Sequence, residues 1–146
     1  MTLHTYDDDV IAWANEQAQF LRSGHFDCLD IQHLADEIED VGKSEQRELA
    51  HRMSVLLTHL LKWHYQPKRR GASWECTIRE QRRVLSRRLQ KTPSLKTCLN
   101  DSDWWEDVWL DTRTETAKET KMGFNQFPEY CPWLISDVLN PEWWPE

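Results

Sequence analysis

The chain has 146 residues and a formal net charge of −7, with 39% of its residues hydrophobic and 29% charged. A chain of this length can bury an apolar core without the help of disulfides or a structural metal. The N-terminal segment lacks the apolar stretch of a signal peptide, and no apolar run approaches the roughly 20 residues that span a bilayer. We therefore expect one domain over residues 1–146 and no membrane partner.

The cysteines and histidines give no sign of a metal or cofactor site. The four cysteines are Cys28, Cys76, Cys98 and Cys131. Since they are scattered and form no Cys-x-x-Cys pair, we expect free thiols in a reducing cytoplasm. His33 and Glu37 have the spacing of a helical metal site, but the other predicted helices supply no matching histidine. We predict no metal and no cofactor.

Charge is distributed unevenly along the chain. Residues 62–91 contain ten Lys or Arg against two Glu, a net charge of +8, so the remainder carries −15. Such a basic segment either pairs with acidic neighbours inside the fold, which is the commoner case, or binds an anionic partner.

The first two predicted helices are amphipathic. Thr5 can cap the first helix, with residues 7–9 in its first turn, and Gly24 can end it. Asp30 can cap the second helix, in which an apolar stripe at spacings of three and four predicts a core face. That stripe comprises Ile31, Leu34, Ile38 and Val41. The stripe resumes at Leu49, so we predict one long helix through Gly42, which ends before Pro67.

The third predicted helix has an apolar side and a basic side. Ser73 can cap it. Its inner face is predicted to comprise Trp74, Ile78, Gln81, Leu85 and Leu89, and its outer faces Arg79, Arg82, Arg83, Arg87 and Arg88. A glutamine within an apolar stripe needs a hydrogen-bond partner if it is buried.

A fourth amphipathic stretch runs from Leu95 to about Met122, with Gly123 as its C-terminal signal. The tail that follows contains four prolines and one predicted short helix at 132–139. Nine tryptophans are too many for a core of this size, so some should be partly exposed. The pattern predicts an all-α, single-domain antiparallel helical bundle of about four main helices with a Pro/Trp-rich C-terminal tail.

Several segments resemble a known family in order along nearly the whole chain. They are YDDDVIAW from Tyr6, LDIQHLADEIEDVGKSE from Leu29, HLLKWHYQPKRRGASWECTIREQR from His59, PSL from Pro93, ET at Glu119, FPEYCPW from Phe127 and WPE from Trp144. This chain is similar to the small all-helical bacterial proteins grouped as domain-of-unknown-function family twenty-nine. The resemblance implies a helical fold and transfers no activity or catalytic residue. This sequence departs from the family pattern in its extra tryptophans between Trp104 and Trp109.

Arg52 and His59 are the pair most suggestive of catalysis. Seven residues make almost two helical turns, so both side chains project from roughly one side of the long helix. A similar spacing occurs in metal-free helical ribonucleases of the HEPN class. There, histidine would act as general acid or base while arginine would stabilise charge on the phosphate. A histidine beside leucines is more often a partly buried structural residue.

The two remaining hypotheses concern binding. In the first, the basic segment 62–91 contacts the phosphates of a nucleic acid and tryptophans stack on bases. In the second, which we favour, the chain is a helical interaction module that binds another protein or a second copy of itself. The candidate binding residues are Lys62, Trp63, Gln66, Arg69, Arg70, Trp74, Gln81 and Arg82. Trp63 and Trp74 are expected to pack across the turn at Pro67, while Lys62, Arg69 and Arg70 stay in water.

Overall fold

The computed structural model describes residues 3–146, in which all regular structure is helical and no strand occurs. The α-helices are α1 (Val10–Ser23), α2 (Ile31–Tyr65), α3 (Ala72–Lys91), α4 (Ser102–Thr120) and α5 (Ile135–Val138). Short 3₁₀ segments lie at Phe26–Cys28, Pro67–Arg69, Pro93–Asn100 and Phe124–Gln126. The predicted all-α class with four long helices is confirmed.

Internal contacts divide the chain into two compact units. The first unit ends at Ser44, and the second unit comprises Glu45–Glu146. The boundary falls inside α2, which passes through Gly42 without interruption, as predicted. The expectation of a single domain over residues 1–146 stays a prediction.

The first unit is a pair of antiparallel helices, α1 and the first part of α2. The side-chain oxygen of Asp9 accepts the N–H of Ala12, so Asp9 caps α1 and the predicted cap at Thr5 is wrong. Gly24 ends α1 with a φ of 76°, a conformation in which glycine carries no Cβ strain. Trp13 donates its indole N–H to Asp30 at 3.0 Å, which fixes α1 against the start of α2.

The predicted core face at the start of α2 is wrong. Ile31, Ile38 and Val41 are 65%, 70% and 66% exposed, and none of residues 38–47 is buried. The core of the second unit begins at Leu49. The helical spacing of the stripe is correct, but in the described part of the chain no element covers it.

The second unit packs α2, α3 and α4 around an apolar core. Arg88 on α3 pairs with Glu45, and Lys62 lies over Trp74, so α2 and α3 are antiparallel. The buried residues that α2 supplies to this core are Leu49, Met53, Leu56, Leu57, Leu60 and Leu61. Burial of leucine side chains of this kind contributes about 1.5–3 kcal/mol each.

The remaining helix ends differ in part from the predictions. α3 begins at Ala72 with Gly71 as its cap, so the predicted cap at Ser73 is wrong. The stretch predicted as one fourth helix divides at Asp101, whose side chain accepts the N–H groups of the first turn of α4. α4 ends at Lys121, which has a φ of 64°, rather than at Gly123.

Three buried threonines form the inner side of α4. Thr112, Thr116 and Thr120 each donate their hydroxyl to the carbonyl four residues earlier. These bonds satisfy the hydroxyls inside the helix itself, so α4 can place polar residues in an apolar core without leaving them unpaired. Among residues 3–146, no helix combines the length and apolarity that crossing a membrane requires.

The tail is held on the second unit by tryptophans. Trp109 on α4 donates its indole N–H to the carbonyl of Pro128, and its ring lies 6.5 Å from that of Trp133. All nine tryptophans are buried or half-buried. The predicted tail helix shortens to α5, because only Ile135–Val138 adopt helical geometry.

Candidate functional site

A ladder of stacked arginine and tryptophan side chains joins the segment 62–82 to the tail. Arg70 lies over the ring of Trp63, and its Nε donates to the Trp63 carbonyl at 2.6 Å. The ring of Trp63 is 4.5 Å from that of Trp144 in the tail. Arg82 and Arg79 lie over the same Trp144 ring, at 5.4 and 5.5 Å. Cation–π contacts between these groups therefore fix the tail against α2 and α3.

Arg82 is the centre of this arrangement. It is only 2% exposed, although the sequence placed it on the outer side of α3; that prediction is wrong. Its Nε donates to the carbonyl of Val138 at 2.8 Å, and one terminal nitrogen donates to the carbonyl of Trp143 at 2.7 Å. Burial lowers the pKa of the Arg82 guanidinium, and the neighbouring Arg79 lowers it further. The charge is stabilised by carbonyl dipoles and an aromatic face.

A second cluster surrounds Lys62. Lys62 is buried, contrary to the expectation that it stays in water, and its Nζ lies 3.5 Å from Glu119 and 5.0 Å from the centre of the Trp74 ring. Lys62 thereby connects α2 to both α3 and α4. Trp63 and Trp74 were expected to pack across the Pro67 turn. In the structure, Trp74 contacts Lys62 of α2, and Trp63 packs on Trp144 of the tail.

His59 lies one turn before Lys62 on α2. Its Nδ1 is 2.9 Å from the carbonyl of Val55, which can only accept, so Nδ1 carries the proton and Nε2 has the free lone pair. Burial is the main cause that lowers the pKa of His59, and the charge of Lys62 lowers it further. At neutral pH the imidazole is therefore uncharged and can accept a proton at Nε2.

Arg52 is occupied elsewhere. Its Nε donates to Glu48 at 2.8 Å, one turn back along α2. A separation of seven residues places the two Cα atoms about 10 Å apart along the helix axis. The charges that affect the pKa of His59 are Lys62 and Glu119, and Arg52 is not among them. The catalytic role of Arg52 and His59 stays a prediction.

The other predicted binding residues lie at the turn and on α3. Arg69 is exposed as expected, whereas the expectation that Arg70 stays in water is wrong, because Arg70 is half-buried on Trp63. Gln66 is half-buried just before Pro67. Gln81 is also half-buried, and its Oε1 is a buried acceptor with no hydrogen-bond partner in the described residues. Of these residues, Arg70 belongs to the ladder through its contact with Trp63.

Most of the basic segment is paired within the second unit. Its exposed ion pairs are Arg79–Glu75, Arg83–Glu80 and Arg88–Glu45. With Lys62, Arg70 and Arg82 also engaged, the exposed cations that remain are Lys68, Arg69, Arg87 and Lys91. Glu75 and Glu80 are already counted in the net charge of +8, so only the pairs of Lys62 with Glu119 and of Arg88 with Glu45 offset part of the charge asymmetry.

A groove of about 620 Å³ lies beside α4 in the second unit. Trp105, Trp109 and Leu110 line it together with Tyr130. Arg113 lies at its border, where its guanidinium stacks on Phe124 at 3.9 Å. The groove is mainly apolar, as small-molecule sites usually are, although two carboxylates, from Glu106 and Glu129, also reach its lining.

An exposed apolar surface lies on the first unit. Successive residues of a helix are about 100° apart, so the predicted apolar stripe of α2 occupies a sector of about 80°. Trp13 faces α2, and Val10 and Leu21 follow it by about 60–80° around α1. Because the two right-handed helices are antiparallel, these sectors lie on the same side of the helix pair. We call this side the open face; it comprises Val10, Ala14, Leu21, Ile31, Leu34, Ile38 and Val41.

The opposite border of the first unit is polar and well connected. Tyr6 donates its hydroxyl to Glu37, and its ring stacks on that of His33 at 4.3 Å. This hydrogen bond, followed by burial, raises the pKa of Tyr6 to about 12. His33 pairs with Asp30 at 2.7 Å, and this contact raises the pKa of His33 while it lowers that of Asp30. The helix pair is therefore fixed from one side, and the open face contributes little to its cohesion.

Residues 5–144 match the family described as Domain of unknown function DUF29. The chain belongs to the DUF29 family. Neither the comparison with curated proteins nor that with solved structures finds a match. The resemblance drawn from the sequence segments is thus confirmed for nearly the whole chain, and the family description assigns no activity.

In this DUF29 chain, the sequence analysis predicted neither the burial of Arg82 nor its hydrogen-bond partners. Arg82 follows Ile78 by four residues and precedes Leu85 by three, the spacing of an inward-facing residue. That spacing could have placed it in the core, although its acceptors lie 56 and 61 residues further along the chain. Within residues 3–146, no group of three or more His, Cys, Asp or Glu side chains could hold a metal ion.

Proposed function

We propose that this DUF29 chain is a helical protein-interaction module that acts in the cytoplasm of a bacterial cell. The observation that carries the proposal is the open face, where Ile31, Ile38 and Val41 are each about two-thirds exposed. Scattered apolar residues are normal on a protein surface, but a contiguous apolar face marks a site of association. The proposal thus moves the binding surface from the basic helix to the first unit.

The shape of the open face supports binding to a protein element. It is formed by two antiparallel helices, and each presents an uncharged apolar sector for about three turns. A third helix placed along them would complete a helical bundle, the usual way in which such apolar sectors are removed from water. Burial of a half-exposed isoleucine or valine contributes about 1 kcal/mol or more.

The two alternative functions receive less support. Arg52, the phosphate-binding residue of the ribonuclease hypothesis, is held by Glu48. Of the seven arginines of the nucleic-acid hypothesis, three are paired with carboxylates of the second unit, and Arg70 and Arg82 donate to backbone carbonyls. Both hypotheses remain predictions, and no contact between described residues favours either over association through the open face.

Photo-crosslinking in living cells tests the proposal. A benzophenone amino acid is placed at Ile38 on the open face and, as a control, at Lys118, a largely exposed position of α4. We expect discrete adducts from position 38 and none from position 118. An adduct of twice the mass of the chain would identify self-association, and any other discrete mass would identify a different partner. The absence of adducts from position 38, or equal adducts from both positions, would overturn the proposal.

A further inference from the structure

The charge of the first unit restricts what can lie on the open face. Residues 1–44 contain ten Asp or Glu and two Lys or Arg, a net charge of −8. On α2, the carboxylates of Asp36, Glu39 and Asp40 are exposed. Glu39 lies about 80° around the helix from Ile31, on the open-face side, whereas Asp36 and Asp40 lie about 140–180° from the centre of the apolar sector. The ion pairs of the first unit are His4–Glu16 and His33–Asp30, so within the described residues these three carboxylates have no cationic partner. The apolar face thus lies in a strongly negative field.

This field disfavours three kinds of occupant. An anionic membrane surface or a nucleic acid would be repelled by the net charge of −8 on the first unit. Two copies joined by their open faces would bring together two units of −8 each. Like charges opposed across an interface suppress association.

The basic helix of a second copy is no better suited. α3 carries exposed arginines, but no large hydrophobic residue of α3 is exposed. The exposed large hydrophobics of the second unit are Leu110, Tyr130 and Leu134. Leu110 and Tyr130 line a groove that also contains Glu106 and Glu129, so contact with that surface would again oppose carboxylates.

We infer that the occupant of the open face is a cationic amphipathic helix of another protein, with an apolar stripe flanked by Lys or Arg. Its apolar stripe packs between α1 and α2, and its cations lie in the negative field of the first unit, where Glu39 is the exposed carboxylate of α2 nearest to the open face. The apolar sector of α2 runs from Ile31 to Val41, about 15 Å, which a partner helix of three turns matches. This inference rests on the proposed function, because it names the partner of the same face.

Three synthetic peptides of 18 residues test the inference by calorimetric titration of the purified full chain. The first is a Leu/Lys peptide patterned as an amphipathic helix. The second has the same pattern with Glu in place of Lys, and the third has the Leu/Lys composition in an order without helical periodicity. We expect the first peptide to bind at least tenfold more tightly than either of the others, and to gain helicity on binding.

Variants of the chain locate the binding surface. Ile38→Asp and Val41→Asp should each lower the affinity for the Leu/Lys peptide at least tenfold. Both positions are exposed, so the fold should tolerate the change. Leu110→Asp is the matched control, since it removes an exposed apolar residue from the second unit and should change affinity less than twofold. Circular dichroism of each variant verifies that the helices are retained.

The outcomes separate this inference from the proposed function. Equal binding of the Leu/Glu peptide, equal sensitivity to Leu110→Asp, or no binding of the Leu/Lys peptide would overturn the cationic helix as occupant. Crosslinks from position 38 together with any of those results would leave the interaction module standing with a partner of different chemistry. A crosslinked adduct of twice the chain mass would overturn the inference in favour of a second copy.

Discussion

Arg82 shows how one residue can organise a distant segment. A guanidinium that is buried without a carboxylate is costly, and here its cost is offset by two carbonyl acceptors and the ring of Trp144. The tail is therefore a structural part of the second unit, because it supplies both acceptors and the ring.

Replacement of Arg82 by alanine should lower the free energy of unfolding by about 3 kcal/mol, because it removes two charge-assisted hydrogen bonds and leaves their acceptors unpaired. Urea denaturation monitored by tryptophan fluorescence measures the change. Arg83→Ala, which removes only an exposed pair with Glu80, should cost less than about 0.5 kcal/mol. Equal costs for the two variants would contradict the central role of Arg82.

His59 should titrate with a pKa below its ordinary value of 6.5, because burial disfavours the imidazolium. The unfolded chain binds this proton more readily than the folded chain. The contribution of neutral His59 to the free energy of unfolding is therefore fully present above pH 6.5. It is lost as the pH falls through the lowered pKa. Proton NMR of the imidazole measures the midpoint, and stability curves for His59→Gln should fall less steeply below pH 6.5. A midpoint at or above 6.5 would refute the prediction.

At the scale of the element, α2 contains a glycine where the helix is most exposed. The space around Gly42 would accept a Cβ atom without any contact within 4 Å. Glycine in a helix interior is less favourable than alanine by about 0.5–1 kcal/mol.

Gly42→Ala should therefore slow amide hydrogen exchange at residues 38–47 and stabilise α2 by up to about 1 kcal/mol. Gly24→Ala is the opposite control, because the φ of 76° at the end of α1 strains any residue with a Cβ. It should destabilise the first unit by about 1 kcal/mol. A loss of protection in Gly42→Ala would contradict the prediction.

The elements themselves were largely predictable from the sequence, and their surroundings were not. Periodicity and proline positions located α1, α2 and α3 because those signals are local. Ile31 and Ile38 share a helical side with Leu49, since eleven or eighteen residues make whole numbers of turns. Spacing alone therefore predicted one core face, whereas only the tertiary arrangement decides whether a helix side is covered.

The whole molecule combines an acidic unit with a nearly neutral one. The second unit holds sixteen Lys or Arg against fifteen Asp or Glu, and four of the ten cations of its basic segment form ion pairs inside it. The first unit keeps its charge of −8 without such compensation. Composition alone revealed the asymmetry but attributed it to the basic segment, because the sequence does not show which charges neutralise one another.

Several residues that the sequence suggested as a binding site instead hold the helices and the tail together. Lys62, Trp63, Trp74 and Arg82 were grouped as a binding set because they are close together in the chain. In the structure they pack α2, α3 and the tail, and they do so through Glu119 and Trp144. Contacts across more than fifty residues carry no local signal.

The hydrogen bonds between Arg82 and the tail also affect the order in which the chain folds during its synthesis on the ribosome. Arg82 is synthesised 56 residues before Val138 and 61 before Trp143, so its charge has neither acceptor while the intervening chain emerges. Among the described residues, the side-chain hydrogen bonds of the first unit reach no further along the chain than Glu37. Nascent domains generally fold in the order of their synthesis. The helix pair can therefore present its open face to a partner before the second unit has closed.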